Sequence, residues 1–393
     1  MIKNKILFII NFKYDPNYPS GMYSFYRFSE ALSHIRCSVT NIHYDLKDFS
    51  NKNYIINKNK FLKIINIATF SYILNKFFMI LNQFIRSDYI ISLHEWHIIQ
   101  GHLKNILLIL ISRVFRKKLI MLTDYDPNLH KDLIKNVSFF KKLCNYFFLK
   151  LYDGYFTWSK FQKELLIKNL HLNKNRILSI PTCINTFEFH QSYSIKRSKR
   201  ILHISDKLIT ITYVAGEPFG VEKILQVAPL VISNSPKKVK FIFIGKVNIL
   251  LPNILKSKYL SILKKYEKNF YFTGFLKRAD DKFINYLSAS DILLFINRRN
   301  HVTFTKFSEF LALGRPIISS DLIGCRECIR NKNEVIFFKN DDINDLFEKI
   351  MMLINNNELR KKLCINSRKR AILSHDFLIR GFQIIEFLKN LEN

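Results

Sequence analysis

The segment "NFYFTGFLKRADDKFINYLSASDILLFINRRNHVTFTKFSEFLALGRPIISSDLIGCRECI" (269–329) decides the fold. Short apolar runs in this segment predict buried strands, and two of the intervening stretches have the 3.6-residue apolar period of helices. The second of these helices carries Glu309 and ends at Gly314-Arg315-Pro316, where glycine and proline are typical stop signals. Because strands alternate with helices, the segment predicts a parallel sheet with helices on both faces.

The same alternation extends through most of the 393-residue chain. Apolar runs such as "KILFIINF" and "DYIISLH" predict strands of a first domain over 1–195, and "LITITYVAG" and "VKFIFIGKV" predict strands of a second domain over 205–375. The polar, basic stretch 191–207 predicts the linker, and we expect a last helix over 376–393 to pack toward the N-terminal domain. Ligands of such sheets bind beyond the carboxyl ends of the strands, so two of these domains predict a cleft between them.

The charge of the chain is strongly positive. The formal net charge is +31, and residues 1–200 hold 31 lysines and arginines against 12 acidic residues. Such a field attracts anionic membranes, phosphorylated substrates or nucleic acid, unless it only reflects a solvated, lysine-rich surface. The apolar stretch 61–85 is broken by Lys63 and Lys76, so it predicts an interfacial helix, and we expect anionic membranes to bind through residues 1–200. Nucleic acid is disfavoured as a partner, because no base-reading basic helix or aromatic RNA motif is present.

Cysteine usage indicates a reducing compartment. Six cysteines are scattered along the chain, and the first residues do not have the pattern of a secretory signal peptide, so we expect a cytoplasmic protein. Cys325 and Cys328 form a C-x-x-C pair. Without a second pair or a nearby ligand cluster, this pair is interpreted as packing cysteines, with a redox or metal role as the alternative.

The order of features in 269–329 resembles the retaining glycosyltransferases of family 4. It consists of a strand ending in Thr-Gly, a helix, Ala-Ser-Asp, a second strand, a loop, and a helix that carries a glutamate and ends at Gly-x-Pro. The stretches "PSGMYSFYRFSEAL" (19–32) and "DYIISLHEWH" (88–97) are similar to the family's glycine loop and to a strand that ends in a His-Asp-Trp-like cluster. The resemblance covers nearly the whole chain. It implies the α/β GT-B fold, in which two Rossmann-like, doubly wound parallel-sheet domains face each other across a cleft.

The resemblance also implies a donor pocket in the second domain. Glu309 matches an acidic residue of the family that accepts hydrogen bonds from ribose hydroxyls, whereas the alternative is a solvated helix glutamate. Thr305 and Lys306, at the N-terminus of the same helix, would receive the diphosphate together with backbone N–H groups. Arg298 and Arg299, in the preceding loop, would neutralise the same charge unless that loop is simply solvated.

The donor pocket departs from the family pattern at several positions. His301 stands at the reacting centre in place of the family's first acid, although a histidine can still hydrogen-bond a sugar hydroxyl. In the turn "GEPFG" (216–220), Gly216 and Phe219 replace the arginine and lysine that contact the diphosphate in the family. Gly216 still permits a close approach of the backbone to a phosphate, so this turn is either phosphate-facing or a plain connection. Lys223 follows the turn and is either close enough to serve the diphosphate or on the surface of the next helix.

The N-terminal domain offers fewer candidates. Gly21 opens the first helix, and the resemblance places it, like His301, at the reacting centre. His94 and Glu95 follow a predicted strand, where cleft residues belong, and they either contact the acceptor or pack in the core.

The stretch "TDYD" (123–126) has two interpretations. In the family pattern it is a strand end, which makes Asp126 a further residue on the acceptor side. Asp124 and Asp126 also form the Asp-x-Asp pair by which GT-A glycosyltransferases hold a divalent metal ion. The second Rossmann-like half disfavours GT-A, so we expect no metal site.

Together these features predict a retaining glycosyltransferase that moves a sugar from a nucleotide diphosphate-sugar to a glycan or lipid-linked acceptor, in cell-surface polysaccharide biosynthesis. The nucleotide-sugar is a co-substrate and no cofactor is expected, because protein cations and helix N–H groups can stabilise the leaving diphosphate. We expect the enzyme in the cytoplasm, peripheral at the inner face of the membrane. The alternative is a non-catalytic glycan- or nucleotide-binding protein with a degenerate GT-B fold, which the replacements at Gly216, Phe219, His301 and Tyr125 favour.

Overall fold

The computed structural model divides the chain into two units. The first comprises Met1–Cys183 and Phe377–Asn393, and the second comprises Ile184–Asp376. The residues that the structure describes are 4–10, 22–44, 54–59, 62–67, 77–94, 102–123, 147, 150–189, 194–214, 218–245, 247, 257–277, 280–298 and 303–392.

The first unit is built on an eight-stranded sheet with the strand order β3-β4-β2-β1-β5-β6-β7-β8. All described pairings are parallel except that of β3 with β4, which is antiparallel. The strands are β1 (Lys5–Ile10), β2 (Ser38–Tyr44), β3 (Tyr54–Asn59), β4 (Leu62–Ile67), β5 (Tyr89–His94), β6 (Lys118–Thr123), β7 (Gly154–Thr157) and β8 (Ile177–Ser179).

Helices cover both faces of this sheet. They include α1 (Met22–His34), α2 (Phe77–Arg86), α3 (His102–Val114) and α4 (Lys160–Leu170). Along β1 the side chains alternate, so that Ile6 and Phe8 join one hydrophobic cluster while Leu7 and Ile9 join another. A strand that is buried on both faces has a continuous apolar sequence, which explains the run "KILFII".

The stretch 61–85 is not the single helix that its apolar composition predicts. Its first part is β4, which pairs with β2 over Val39–Tyr44, and its second part lies in α2. The prediction of a helix was wrong because a buried strand and a buried helix have equally apolar sequences, and periodicity alone does not distinguish them.

The second unit is built on a six-stranded parallel sheet with the order β11-β10-β9-β12-β13-β14. The predicted fold class of two doubly wound parallel-sheet domains is confirmed. The strands are β9 (Ile209–Val214), β10 (Val239–Ile244), β11 (Phe270–Phe272), β12 (Ile292–Phe295), β13 (Ile317–Ser320) and β14 (Ile336–Phe338).

Helices again lie on both faces of this sheet. They are α5 (Ile195–Ile201), α6 (Pro218–Asn234), α7 (Ser257–Lys265), α8 (Asp281–Ser288), α9 (Thr305–Leu313), α10 (Ile323–Cys328), α11 (Ile343–Asn355) and α12 (Asn357–Ser374). In β12, Ile292 and Leu294 pack into one hydrophobic cluster, and Leu293 and Phe295 pack into the cluster on the opposite face.

The predicted linker 191–207 is instead part of the second unit over its described residues, 194–207. It contains α5, and Lys199 of this helix is buried with its Nζ 2.7 Å from Oδ2 of Asp291. The same carboxylate accepts a hydrogen bond from the backbone N–H of Thr210, so it fixes the helix to the start of β9. The composition of the segment does not show which of its lysines is buried.

The C-terminal helix α13 (Phe377–Asn390) belongs to the first unit. Gly381 lets it approach α1 closely, because a Cβ atom at this position would lie 3.2 Å from the Cβ of Ala31. Glu392, just beyond the helix, accepts a hydrogen bond from the hydroxyl of the buried Tyr89. Among the described helices of the chain, none is both long and apolar enough to cross a membrane.

Candidate functional site

The carboxyl ends of β9 and β12 define the candidate site. These strands are hydrogen-bonded neighbours, yet the chain builds outward from β9 to β10 and β11 before it returns to β12 on the other side. This arrangement is the 3-2-1-4-5-6 strand order, and ligands of doubly wound sheets bind where that order reverses. The turn after β9 contains Gly216, and the loop after β12 leads into α9, which carries Glu309.

Lys306 connects the two sides of this reversal point. It lies in the first turn of α9, and its Nζ donates a hydrogen bond of 2.8 Å to the carbonyl oxygen of Val214, the last residue of β9. A predicted donor-site lysine is therefore brought to the end of β9, and the stretch "GEPFG" begins two residues later in the chain. Thr305, beside Lys306, is buried.

Glu309 is buried on the middle of α9, where only 1% of its surface is exposed. The alternative of a solvated helix glutamate is therefore wrong. Its neighbours in the helix include Thr305, Lys306 and Ser308 beside apolar residues, and Gly314 ends the helix with a left-handed φ of 59°. A carboxylate in such surroundings needs polar or charged neighbours, since burial of a charge is costly without them. This type of residue is expected in a binding site or in a structural network.

The structure does not place Lys223 on the surface of its helix, which was one of the two positions expected from the sequence. Lys223 is only 9% exposed, and its Nζ lies 2.6 Å from Oδ1 of Asp341, which follows β14. Lys223 reaches the carboxyl edge of the sheet because it lies near the start of α6, which follows β9 in the chain. The hydrogen bond from Lys223 holds the pKa of the Asp341 carboxyl below its usual value, and the positive charge of Arg298 acts in the same direction.

Arg298 therefore shares the carboxyl edge of the sheet with the Lys223–Asp341 pair. Its side chain is exposed, and its backbone N–H donates to Oδ1 of Asn297 at 2.7 Å. The pair was missed in the sequence because its two residues lie far apart in the chain. The sequence did contain a signal for this pair. The stretch "NDDIND" has aspartates typical of a helix N-cap, and it follows a predicted strand. Ligands of such sheets bind at this end of the strands.

Gly220 has a packing role in the described structure. A Cβ atom at this position would lie 2.1 Å from Oη of Tyr213, so only glycine lets the start of α6 pass over this tyrosine. Tyr213 is buried near the end of β9. From the sequence, the stretch "GEPFG" is either phosphate-facing or a plain connection, and the packing against Tyr213 explains Gly220 without a phosphate.

Several predicted site residues lie outside the described part of the chain. They are Gly21, Glu95, Asp124, Asp126, Gly216, Arg299 and His301. His94 is the last residue of β5, which is hydrogen-bonded to β1. The strand order of the first sheet also reverses between these two strands, so the backbone of His94 stands at the corresponding edge.

The cysteine pair has the surroundings of core residues. Cys325 and Cys328 lie in α10 with none of their surface exposed, and burial raises the pKa of the Cys325 thiol. A buried thiol with a raised pKa forms little thiolate and reacts slowly. Within the described residues, no group of three His, Cys, Asp or Glu side chains is arranged to hold a metal ion.

Known protein structures settle the fold. HepE of Anabaena, solved with UDP, matches with a TM-score of 0.70 at 12% identity over 98% of this chain and 99% of its own. A sucrose-phosphate synthase from Thermosynechococcus elongatus matches with a TM-score of 0.69 at 13% identity, over 99% of each chain. A glycosyltransferase from Rickettsia africae gives 0.70 at 15% identity, over 100% of this chain and 99% of its own. The fold is GT-B.

The sequence match is confined to the second unit of this GT-B protein. The family model of the glycosyl transferases group 1 matches residues 207–356, which include β9 through β14 and the reversal point. No curated protein sequence matches the chain significantly. The segment that resembles the family in sequence is therefore the segment that contains Lys306, Glu309 and the Lys223–Asp341 pair.

Proposed function

We propose that the protein is a retaining glycosyltransferase of the family 4 type, which moves a sugar from a nucleotide diphosphate-sugar to an acceptor. The observation that carries this proposal is the contact of Lys306 with the end of β9, at the reversal point of a unit that matches the glycosyl transferases group 1. A lysine there stands where a doubly wound sheet receives a nucleotide. HepE, a structural neighbour, was solved with UDP, with UDP and glucose, and with UDP-glucose, which supports a donor of this class.

The diphosphate is proposed to bind at the N-terminus of α9. Lys306 and the backbone N–H groups of this helix turn supply positive charge, and Lys223 and Arg298 lie at the same edge of the sheet. These cations take the place of the arginine and lysine that Gly216 and Phe219 replace. Stabilisation of the leaving diphosphate by fixed donors requires no metal ion, so transfer is proposed to be metal-independent.

The ribose is proposed to bind at Glu309, further along the same helix. A carboxylate presents two acceptor oxygens, which suits the two neighbouring hydroxyls of a ribose. Gly21 and His301 are proposed at the reacting centre, and His94, Glu95 and Asp126 on the acceptor side. The roles of Gly21, His301 and Asp126 rest on the family resemblance, and those of His94 and Glu95 also on their place at the end of a predicted strand.

The acceptor is proposed to be a glycan or a lipid-linked glycan of cell-surface polysaccharide biosynthesis, and the transferred group a hexose. We infer a cytoplasmic location. The five described cysteines form no disulfide, which agrees with a reducing compartment.

Turnover of a panel of nucleoside diphosphate-hexoses, measured as release of the nucleoside diphosphate, tests the function. Release is expected with one or a few donors, and it should continue in EDTA. Lys306→Met keeps the length of the side chain without its charge, so it should reduce the rate roughly 100-fold, as the loss of one fixed donor does in other enzymes.

Binding of the same nucleotide-sugars is measured together with release of the nucleoside diphosphate, and the remaining outcomes separate the alternative functions. Binding of a nucleotide-sugar without any release would support the non-catalytic, degenerate GT-B protein. Release that stops in EDTA and returns with Mn²⁺ would contradict the metal-independent site. A panel in which no nucleotide binds at all would overturn the proposed function.

A further inference from the structure

Helix α12 (Asn357–Ser374) has one face that is fixed in the second unit. Its buried residues are Arg360, Leu363, Ser367 and Ala371. Arg360 donates from Nη1 to the carbonyl oxygen of Ile354 at 2.9 Å, which joins the helix to the end of α11. Arg368 donates from Nη1 to the carbonyl oxygen of Ala312 at 2.5 Å, which joins it to the last turn of α9. The helix is therefore held firmly along one side.

The opposite face of α12 is exposed along the length of the helix. We call it the α12 face, and it consists of Glu358, Lys361, Lys362, Ile365, Lys369, Ile372 and Leu373. These positions recur at intervals of three, four and seven residues, which places them on one side of a helix. The α12 face is thus a continuous strip and not a set of scattered side chains.

Three large aliphatic side chains of the α12 face are open to solvent. Ile365 is 67% exposed, Leu373 is 62% exposed and Ile372 is 44% exposed. Single exposed aliphatic residues are common on protein surfaces, but three of them on one helix face form a small apolar strip. An apolar strip of this kind is stabilised when it leaves water.

Lysines accompany the apolar strip along the helix. Lys361 and Lys362 precede Ile365, and Lys369 lies between Ile365 and Ile372. Lys361 lies 2.8 Å from the carboxylate of Glu358, one turn earlier. Lys362 and Lys369 form no ion pair with any residue in the described part of the chain. Lysine side chains near an anionic lipid surface contribute about 1 kcal/mol each, a factor of roughly five in affinity, so the α12 face offers such a surface both positive charge and apolar area.

We propose that the α12 face docks on an anionic lipid membrane. Ile365, Ile372 and Leu373 would enter the boundary between headgroups and acyl chains, and the lysines would lie beside the lipid phosphates. Charge complementarity selects this partner, because the chain carries a net charge of +31 and the cytoplasmic face of a membrane is negative. Nucleic acid offers the phosphates but no apolar phase for the three aliphatic side chains.

This surface differs from the one that the sequence suggested. The sequence placed the membrane contact in residues 1–200, on an apolar helix over 61–85 that the structure does not contain. The α12 face belongs to the second unit, and the buried side of its helix contacts α9, which carries Glu309. The proposal does not depend on sugar transfer, because docking on lipid needs no donor.

Sedimentation with vesicles tests the proposal. Vesicles of phosphatidylcholine and phosphatidylglycerol in equal amounts are compared with vesicles of phosphatidylcholine alone, and the wild-type chain should bind mainly to the former. Lys362→Glu combined with Lys369→Glu should weaken this binding by more than about 25-fold, because the loss of each lysine near such a surface accounts for a factor of roughly five and each new glutamate adds repulsion. The matched control is Lys264→Glu with Lys265→Glu, which changes the net charge equally on exposed residues of α7.

A second double variant separates a bilayer from a merely charged partner. Ile365→Ser combined with Leu373→Ser should weaken vesicle binding at least about tenfold and leave binding to a random oligonucleotide unchanged. All variants change exposed residues, so thermal unfolding should stay at the wild-type midpoint. Equal vesicle binding by the α12 and α7 lysine variants would overturn the proposal. So would wild-type vesicle binding by the serine variant, since docking would then be purely electrostatic.

Discussion

Glu309 is a buried carboxylate on a helix that carries Thr305, Lys306 and Ser308 among apolar residues. Its residue type and its place in the helix follow from the sequence. Its burial does not follow from the sequence, because the residue type and its place in the helix are the same whether the glutamate is exposed or buried. The structure leaves two roles for it, which are a ribose ligand and a member of a structural polar network.

Replacement of Glu309 by glutamine distinguishes these roles. Glu309→Gln keeps the shape and removes the charge and one acceptor, so a ligand role predicts about tenfold or greater loss of nucleoside diphosphate affinity. Isothermal titration measures the affinity, and thermal unfolding of the same samples measures stability. Glu348→Gln, on an exposed position of α11, is the control. A lower unfolding midpoint together with wild-type affinity would assign Glu309 to the structure and not to the donor pocket.

At the scale of elements, Arg368 joins three segments of the second unit. Besides Ala312 in α9, it donates from Nη1 to the carbonyl oxygen of Phe189 at 2.7 Å and from Nη2 to that of Thr186 at 3.1 Å. Thr186 also donates its hydroxyl to Asp376 at 2.6 Å. The guanidinium thus fixes α12, the end of α9, and the segment by which the chain enters this unit.

Loss of this guanidinium should destabilise the second unit. Arg368→Gln cannot reach three carbonyl groups, and we expect the free energy of unfolding to fall by about 3 kcal/mol, since hydrogen bonds from a charged donor contribute about 1.5–3 kcal/mol each. Arg368→Lys should give an intermediate loss, because an ammonium group lacks the planar fork. Urea unfolding is the measurement, with the exposed neighbour change Lys369→Gln as control. A wild-type urea midpoint for Arg368→Gln would mean that these contacts add no net stability.

For the whole molecule, stability at alkaline pH depends on acids that are buried in both units. Burial raises the pKa of the Cys37 thiol from 9.0 to about 11, and it also raises the pKa values of Tyr152 and Tyr155 in the first unit and of Cys325 in the second. At pH 7 each group is protonated in both the folded and the unfolded chain. Above pH 9 the unfolded chain loses protons that the folded chain keeps, so stability should fall as the pH rises.

Cys37 allows this effect to be measured at one position. Cys37→Ala removes buried volume and should destabilise the protein at pH 7. At pH 10.5 the wild-type thiol has lost about 2 kcal/mol of its contribution, so the gap between the two proteins should narrow by about that amount. Urea unfolding at both pH values gives the comparison. An equal gap at pH 7 and pH 10.5 would show that the Cys37 pKa is the same in the folded and unfolded chains.

The sequence by itself determined the alternation of strands and helices. It predicted β1, β5, β6, β9, β10 and β12, and it predicted that α9 would end at Gly314, because apolar period and stop signals act over a few neighbouring residues. It missed β3 and β4, whose apolar residues fit a helix as well as a strand. Local pattern therefore fixed the fold class and the helix that carries the main site candidate.

Only the tertiary structure decided which residues meet at the site. The strand order that puts β9 beside β12 brings Lys306 to Val214, and the packing of α6 brings Lys223 to Asp341. It also decided that Glu309 and Lys199 are buried. Each of these outcomes depends on contacts between residues that are distant in the chain, and periodicity, caps and turn residues contain information only about near neighbours. The sequence therefore specified the elements, and their packing specified the charges that surround the proposed donor site.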